Sequence, residues 1–365
     1  EATLPVHTQE MSRKDEMLFA GAERLGWHHQ TTKDTLRAGY RPQENAILPA
    51  SGTAGTTADA SKIEYPDAQG CTFCGLCFQG CVEPRKAPRN LAARRSVDNS
   101  YIPMALTADR WKPGGRAVRL IAGAYVTQVL HRSVKGRATA YGVRYRTAKG
   151  ATVDVEAKIV VMSGGAVETP RLWRNSHLPN PNDWVGRGMT DHALDWLTGV
   201  LPQETGNGVG PNSGSRADFP GYGSIQPVSV TPALQAYGLA FSDGGTVGAY
   251  STGSTVGNGG ADSVGRLMGR ELRSMQEQHP RLISLVTLVD DDVQATNRVA
   301  RAKLLPPDEH GPVPRIEING RKRTPRTVRN REFLVRRAVE WLRAAGATSV
   351  HRTNFAPLML HVHST

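Results

Sequence analysis

Apolar and polar positions in this chain follow a helical period near the start, a two-residue period in the middle and a helical period again near the end. Residues 12–25 repeat at helical spacing, with Ser12 as N-cap, Asp15 in the capping-box position and Gly26 as the stop. Residues 28–70 are turn-rich and read as an irregular wrapping segment. "NSYIPMALTADRW" reads as a short helix. From Arg116 the pattern becomes strand-like: "RAVRLIA", "AYVTQVLH", "TAYGVRYRT" and "ATVDVEA" alternate apolar and polar residues, with "KGRA" and "AKGA" as turns. That predicts an antiparallel meander. Next, Ile159 to Met162 predicts a fully apolar strand running into glycines, after which Thr169 as N-cap and Pro170 at N1 open a helix. A strand, a glycine turn and a helix N-terminus aim backbone N–H groups at one point, which suits an anionic or electron-rich ligand.

Residues 202–265 are rich in Gly, Ser, Thr and Asn and predict long loops with exposed strands. "PVPRIEING" reads as a strand. A helix over 328–345 follows, with Leu334, Ala338, Trp341, Leu342 and Ala345 as its apolar stripe and Gly346 as its end. No internal repeat is present.

Composition narrows the function classes. At 365 residues the chain can bury a large core, and 38 glycines with 23 prolines argue against a helical bundle. No apolar run is long enough to cross a bilayer, and "EATLPVHTQEMSRKDE" lacks the apolar core of a signal peptide, so the chain reads as soluble, in the cytoplasm or exported. The formal charge of +12 comes from dispersed basic residues, and its densest run leads into the amphipathic helix. A solvated basic face fits that pattern better than a nucleic-acid surface, and it can attract an acidic electron-transfer partner.

All four cysteines lie in "CTFCGLCFQGC", as Cys71, Cys74, Cys77 and Cys81. Their C-x2-C-x2-C-x3-C spacing equals the bacterial ferredoxin run, and the local loop could offer three or four thiolates to a 3Fe-4S or 4Fe-4S cluster. Zinc, constrained disulfides and reduced packed thiols are the competing readings.

The order of "NSYIPMA", "GVRY", "SGGAVETPRLWRNSHLPN", "VGRGMTDH" and "HVHST" resembles the glucose–methanol–choline (GMC) family of FAD-dependent oxidoreductases, in its cysteine-containing gluconate and long-chain-alcohol dehydrogenase branch. The likeness runs from about residue 60 to 192 and again from 305 to 365. It implies an α/β fold: a flavin-binding domain of discontinuous segments plus a substrate domain with an antiparallel sheet backed by helices. The expected division is an N-terminal helix and wrapping segment (1–60), a flavin-domain portion with the cysteine motif (61–192), a substrate domain (193–350) and a return segment (351–365).

The resemblance also implies site residues. His361, the first His of "HVHST", is the expected catalytic base, and a neutral imidazole suits that role. Gly164, Gly165 and Ala166 would let the backbone approach FAD, Thr169 would cap the helix behind them, and Val126 corresponds to a backbone contact with the adenine. Asp191 and His192 read as structural. Expected partners are a small-molecule alcohol or sugar, an electron acceptor such as a cytochrome or quinone, and an additional subunit; nucleic acid is not among them. Four features depart from the family: no G-x-G-x-x-G opens a βαβ unit, the sequence stops at Thr365 before the family's second His or Asn, His177 stands where a Gly usually follows the Ser, and Trp173 replaces an aliphatic residue. The first departure favours the alternative of an electron-transfer or structural subunit without turnover.

Overall fold

In the computed structural model the described residues are 7–8, 11–31, 33–48, 70–77, 81–83, 89–90, 93–192, 194–211, 214–240, 257–317, 323–354 and 362–363. The helices are α1 (Arg13–Arg24), α2 (Tyr101–Leu106), α3 (Ala108–Trp111), α4 (Gly165–Asn175), α5 (Pro232–Ala240), α6 (Gly269–Glu277) and α7 (Pro325–Ala344).

A seven-stranded sheet forms the larger body, in the order Ser263–Val264, Ser349–Asn354, Asp195–Val200, Leu282–Val289, Gly223–Pro227, Ser215–Phe219, Gly39–Pro42. Every pairing is antiparallel except that of the first strand. One face is covered by α7 and α1: Leu334, Ala338, Trp341 and Leu342 pack with Leu197, Ile225, Ile283 and Leu285 in one buried cluster. Burial of that apolar stripe is the main stabilisation of this body. The two helices approach closely, since a Cβ on Gly21 would lie 2.8 Å from the Ala345 nitrogen. Trp341 Nε1 donates to the Leu18 carbonyl at 2.6 Å, joining them by a buried hydrogen bond.

The fully buried Asp195 carboxylate accepts from Arg331 Nε at 2.6 Å and Arg352 Nη2 at 3.1 Å, and Arg352 also reaches Glu332 at 2.8 Å. Burial alone would raise the pKa of Asp195, yet the two guanidiniums hold it below the ordinary carboxylate range.

The smaller body is a three-stranded antiparallel meander, Ala124–Val134, Arg137–Thr147 and Thr152–Glu156, as the alternation predicts. Helix α4 is fixed to it by Ser176, whose Oγ accepts from Val129 N at 2.8 Å and donates to the Leu172 carbonyl at 2.7 Å. His177 follows at φ +52°, a left-handed conformation that favours the Gly the family pattern usually carries there.

Several local expectations are corrected. Helix α4 begins at Gly165 with Gly164 as N-cap, so Thr169 and Pro170 lie inside the helix. The Thr-Pro start signal operates instead at α7, where the Thr324 side chain accepts from Thr327 N at 3.2 Å and Pro325 is the first helical residue. At α1 the side chains of Ser12 and Asp15 hydrogen bond to each other at 2.6 Å, together with the buried Lys14, and Ser12 makes no side-chain cap to the backbone. The expected strands at 116–122 and at Ile159 to Met162 are unpaired among the described residues, and Ile159 and Val161 are each 80% exposed. A fully apolar strand needs neighbours on both edges and cover on both faces, and these segments have neither here. The glycine-rich middle also holds strands whose burial alternates, Ser215–Phe219 among them.

Candidate functional site

The β-bulge between Val126 and Gln128 shapes the first candidate site. Val126 pairs with Tyr145 and Gln128 with Arg144, which leaves Thr127 outside the ladder. Bulges free backbone groups and re-aim side chains, and they recur beside binding sites. This one forms the wall of a cavity of about 260 Å³, completed by Val160, Met162, Gly164, Thr169, Leu172 and His310. Val126, Gly164 and Thr169, three of the residues expected at the cofactor, therefore border one space. Gly165 and Ala166 follow in the first turn of α4, with Gly165 at φ +84°, which is strained for any residue with a Cβ.

One wall of that cavity is aromatic. His310, from a turn closed by the paired Asp308 and Gly311, stacks on Tyr125 with ring centroids 3.5 Å apart and planes 13° apart. The Tyr125 hydroxyl donates to Glu168 Oε2 at 2.7 Å and accepts from Arg171 Nη1 at 3.3 Å. Burial, then the Glu168 carboxylate, pushes that hydroxyl up to about 12. Arg171 Nη2 reaches Asp308 at 2.6 Å and the Gly311 carbonyl at 3.1 Å, tying the turn to α4. Two buried lining atoms, Arg171 Nε and His310 Nδ1, have no hydrogen-bond partner within the protein. Unsatisfied buried nitrogens in a largely apolar cavity fit a ligand that brings polar groups of its own. The volume suits a purine nucleoside rather than an entire dinucleotide. FAD therefore fits this chain at its adenosine end.

The cysteines do not fit a metal cluster. Cys81 is buried with Ile47 and Ala93, Cys71 and Cys77 pack against that group, and Cys74 is exposed. Cys81 Sγ accepts a hydrogen bond from Arg94 N at 3.5 Å. Burial pushes the Cys71 thiol up to about 11, which keeps it protonated in the metal-free chain. Among the described residues no three His, Cys, Asp or Glu side chains are arranged to hold a metal ion.

His361 lies outside the described residues. The backbone beyond it is placed: Val362 pairs with Asp191 and His363 with Thr190, in a short antiparallel ladder. The "VGRGMTDH" and "HVHST" segments thus meet in space. His192, set aside in the sequence as structural, borders a second and larger cavity of about 520 Å³ on the open face of the seven-stranded sheet. A signal for it was present, because alternation in "SRADF" places Arg216 and Asp218 on the face opposite the core.

The GMC oxidoreductase profile matches residues 35–194, which span the meander, the bulge and all of α4. Over that stretch the chain is similar to the GMC oxidoreductase family. Its curated GMC relatives include uncharacterized GMC-type oxidoreductases from two strains of Mycobacterium tuberculosis, CDC 1551 / Oshkosh and ATCC 25618 / H37Rv. Each is 29% identical over 259 residues, covering 62% of this chain and 37% of the relative. The chain thus aligns with little more than a third of these GMC proteins. Among solved structures, a formate oxidase of Aspergillus oryzae RIB40 covers 94% of this chain and 61% of its own, with a TM-score of 0.50 and 10% identity. That likeness concerns the fold. No helix among the described residues is long and apolar enough to cross a membrane.

Proposed function

We propose that this chain forms part of an FAD-dependent oxidoreductase that oxidises the CH–OH group of a sugar, polyol or other alcohol to a carbonyl. The observation that carries the reading is the cavity at the Val126 bulge, where apolar walls, an aromatic stack and two unpaired buried nitrogens meet the glycine start of α4. Val126, Thr127 and Thr169 would hold the adenosine end, and Gly164 and Gly165 would admit the cofactor to the helix N-terminus. When bound, FAD supplies the two-electron acceptor for the substrate's hydride.

His361 is the residue assigned to the hydroxyl proton. Its imidazole, neutral near pH 7, accepts that proton as the C–H bond breaks. The paired segments 190–191 and 362–363 support this assignment, because they bring the family's terminal motif to the end of the sheet. The exposed apolar residues Val118, Leu120, Ile159 and Val161 support pairing with a further βαβ unit that carries the dinucleotide fingerprint. The net charge of +12 suits an acidic acceptor for the electrons.

A second reading, an electron-transfer or structural subunit, is favoured by one feature only, the lack of a G-x-G-x-x-G in a strand–helix context. Anaerobic addition of sugars and alcohols to the FAD-loaded protein separates the two. Bleaching of the flavin absorption is expected; bound FAD that no alcohol bleaches would overturn the enzyme reading.

A further inference from the structure

The first strand of the seven-stranded sheet, Ser263–Val264, sets a serine hydroxyl against a histidine. Ser263 is the register partner of His351 in the parallel pairing with Ser349–Asn354. Ser263 is exposed, whereas His351 is buried at 3% exposure. Ser263 Oγ lies 2.7 Å from His351 Nδ1, and His351 Nε2 lies 2.8 Å from the Gly265 carbonyl. A carbonyl can only accept, so Nε2 carries the ring hydrogen, Nδ1 holds the lone pair, and the Ser263 hydroxyl donates to it.

The backbone on both sides of Ser263 is pinned. Asp262 N donates to the Val350 carbonyl at 2.9 Å, and the Asp262 carboxylate accepts from Val350 N at 2.7 Å and from Arg343 Nη2 at 2.6 Å. Gly265 N donates to the Arg352 carbonyl at 3.0 Å, and Gly265 sits at φ +114°, a conformation that favours glycine. None of these bonds uses the Ser263 hydroxyl, so the strand holds its place without it. Because Asp262 N points at the neighbouring strand, alternation turns Ser263 N toward the outer edge of the sheet. An amide there can donate to a developing oxyanion.

Burial holds the His351 pKa below its ordinary value; the Gly265 carbonyl and then the Glu271 carboxylate oppose that shift without cancelling it. The ring is therefore neutral near pH 7 and able to accept a proton. Glu271, on α6, supplies a negative charge that favours the imidazolium once it forms. A hydroxyl bonded to a neutral imidazole of fixed tautomer, itself held by a third group, is the arrangement that activates a serine as a nucleophile. The exposed neighbours Asp262 and Val264 leave the hydroxyl open to a small electrophile.

We propose that Ser263 and His351 form a nucleophile–base pair that takes an acyl group from an activated ester, an activity separate from the oxidation. Ser263 Oγ bonds to the ester carbonyl carbon while its proton passes to His351 Nδ1. The carbon–oxygen bond to the leaving group then breaks, the leaving group takes the proton from Nδ1, and the acyl group stays on Ser263 as an ester. Nothing is oxidised or reduced.

The test treats the full chain with p-nitrophenyl acetate at neutral pH and follows acetylation by peptide mass spectrometry, with Ser274, an exposed serine of α6, as the internal reference. Ser263 should be acetylated about 100-fold faster than Ser274, the low end of what a positioned base supplies. His351→Gln should bring the Ser263 rate down to that of Ser274, and Ser263→Ala should remove the fast phase of p-nitrophenolate release. The comparison with Ser274 needs no variant, and Ser263→Ala alters only an exposed residue, so the test stands should His351→Gln fail to fold. The proposal is overturned if Ser263 reacts no faster than Ser274, if the fast phase survives Ser263→Ala, or if folded His351→Gln reacts at the unaltered rate. Flavin takes no part in the readout, so neither outcome bears on the cofactor reading.

Discussion

Tyr125 and His310 stack at 3.5 Å between ring centroids although one belongs to the first meander strand and the other to a distant turn. The stack joins two parts of the chain and makes one wall of the proposed adenosine cavity. Aromatic pairs contribute about 0.5–1.5 kcal/mol beyond area burial. His310→Ala should therefore weaken FAD binding about three- to ten-fold, read by quenching of flavin fluorescence, while His310→Phe restores most of it. Equal affinity in all three proteins would remove the wall from the site.

His177 holds φ +52° immediately after the serine that pins α4 to the meander. A side chain in that conformation costs about 1 kcal/mol relative to glycine, partly offset by the extra freedom glycine has in the unfolded chain. His177→Gly should raise the denaturant midpoint by an amount equivalent to about 0.5–1 kcal/mol. A lower midpoint would contradict the backbone assignment.

Cys74 is exposed, whereas the Cys71 thiol is raised to about 11 by burial. Iodoacetamide at about pH 8 should modify Cys74 first and Cys71 slowly, since the thiolate is the reacting form. Peptide mass spectrometry across the reaction reads the order. Protection of all four cysteines together, with iron in the protein, would instead restore the cluster expected from their spacing.

Ile159 and Val161 expose apolar side chains on a segment unpaired among the described residues, the kind of surface that recruits another strand. The chain should associate with itself as concentration rises, and Ile159→Lys with Val161→Lys should shift it toward monomer in sedimentation velocity. An identical distribution for both proteins would show that this edge recruits nothing.

Burial lowers the pKa of His279 and His351; the Val230 carbonyl and, for His351, the Gly265 carbonyl and then Glu271 oppose that shift without cancelling it. The unfolded chain, with histidines near 6.5, then binds more protons than the folded one below that pH. Stability should be full above about 6.5 and fall as the pH drops below it, with the loss reduced in a His279→Gln, His351→Gln double variant. A midpoint flat from neutral to mildly acidic pH would contradict this.

Elements with a strong single period were legible in the sequence: the meander, α1, and the apolar stripe of α7. Helix α7 starts at Pro325, three residues before its apolar periodicity predicts, because Thr324-Pro325 opens it, while the same dipeptide at 169–170 lies inside α4. A Thr-Pro pair marks a helix start only where the residues before it are not already helical. The central strand "DWLTGV" is hidden by polarity, since Asp195 is buried against two arginines that lie far away in sequence. For the site, Val126, Gly164 and Thr169 could be found from the family motif. His310 could not, because its only signal is contact with a tyrosine in another segment.

The cavity at the Val126 bulge is the centre of this account, and amide chemical-shift perturbation on adding FAD tests it most directly. Saturable shifts are expected at Tyr125, Val126 and Thr127, at Gly164 and Gly165, and at His310. Shifts confined to the seven-stranded sheet, or none at saturating FAD, would contradict it.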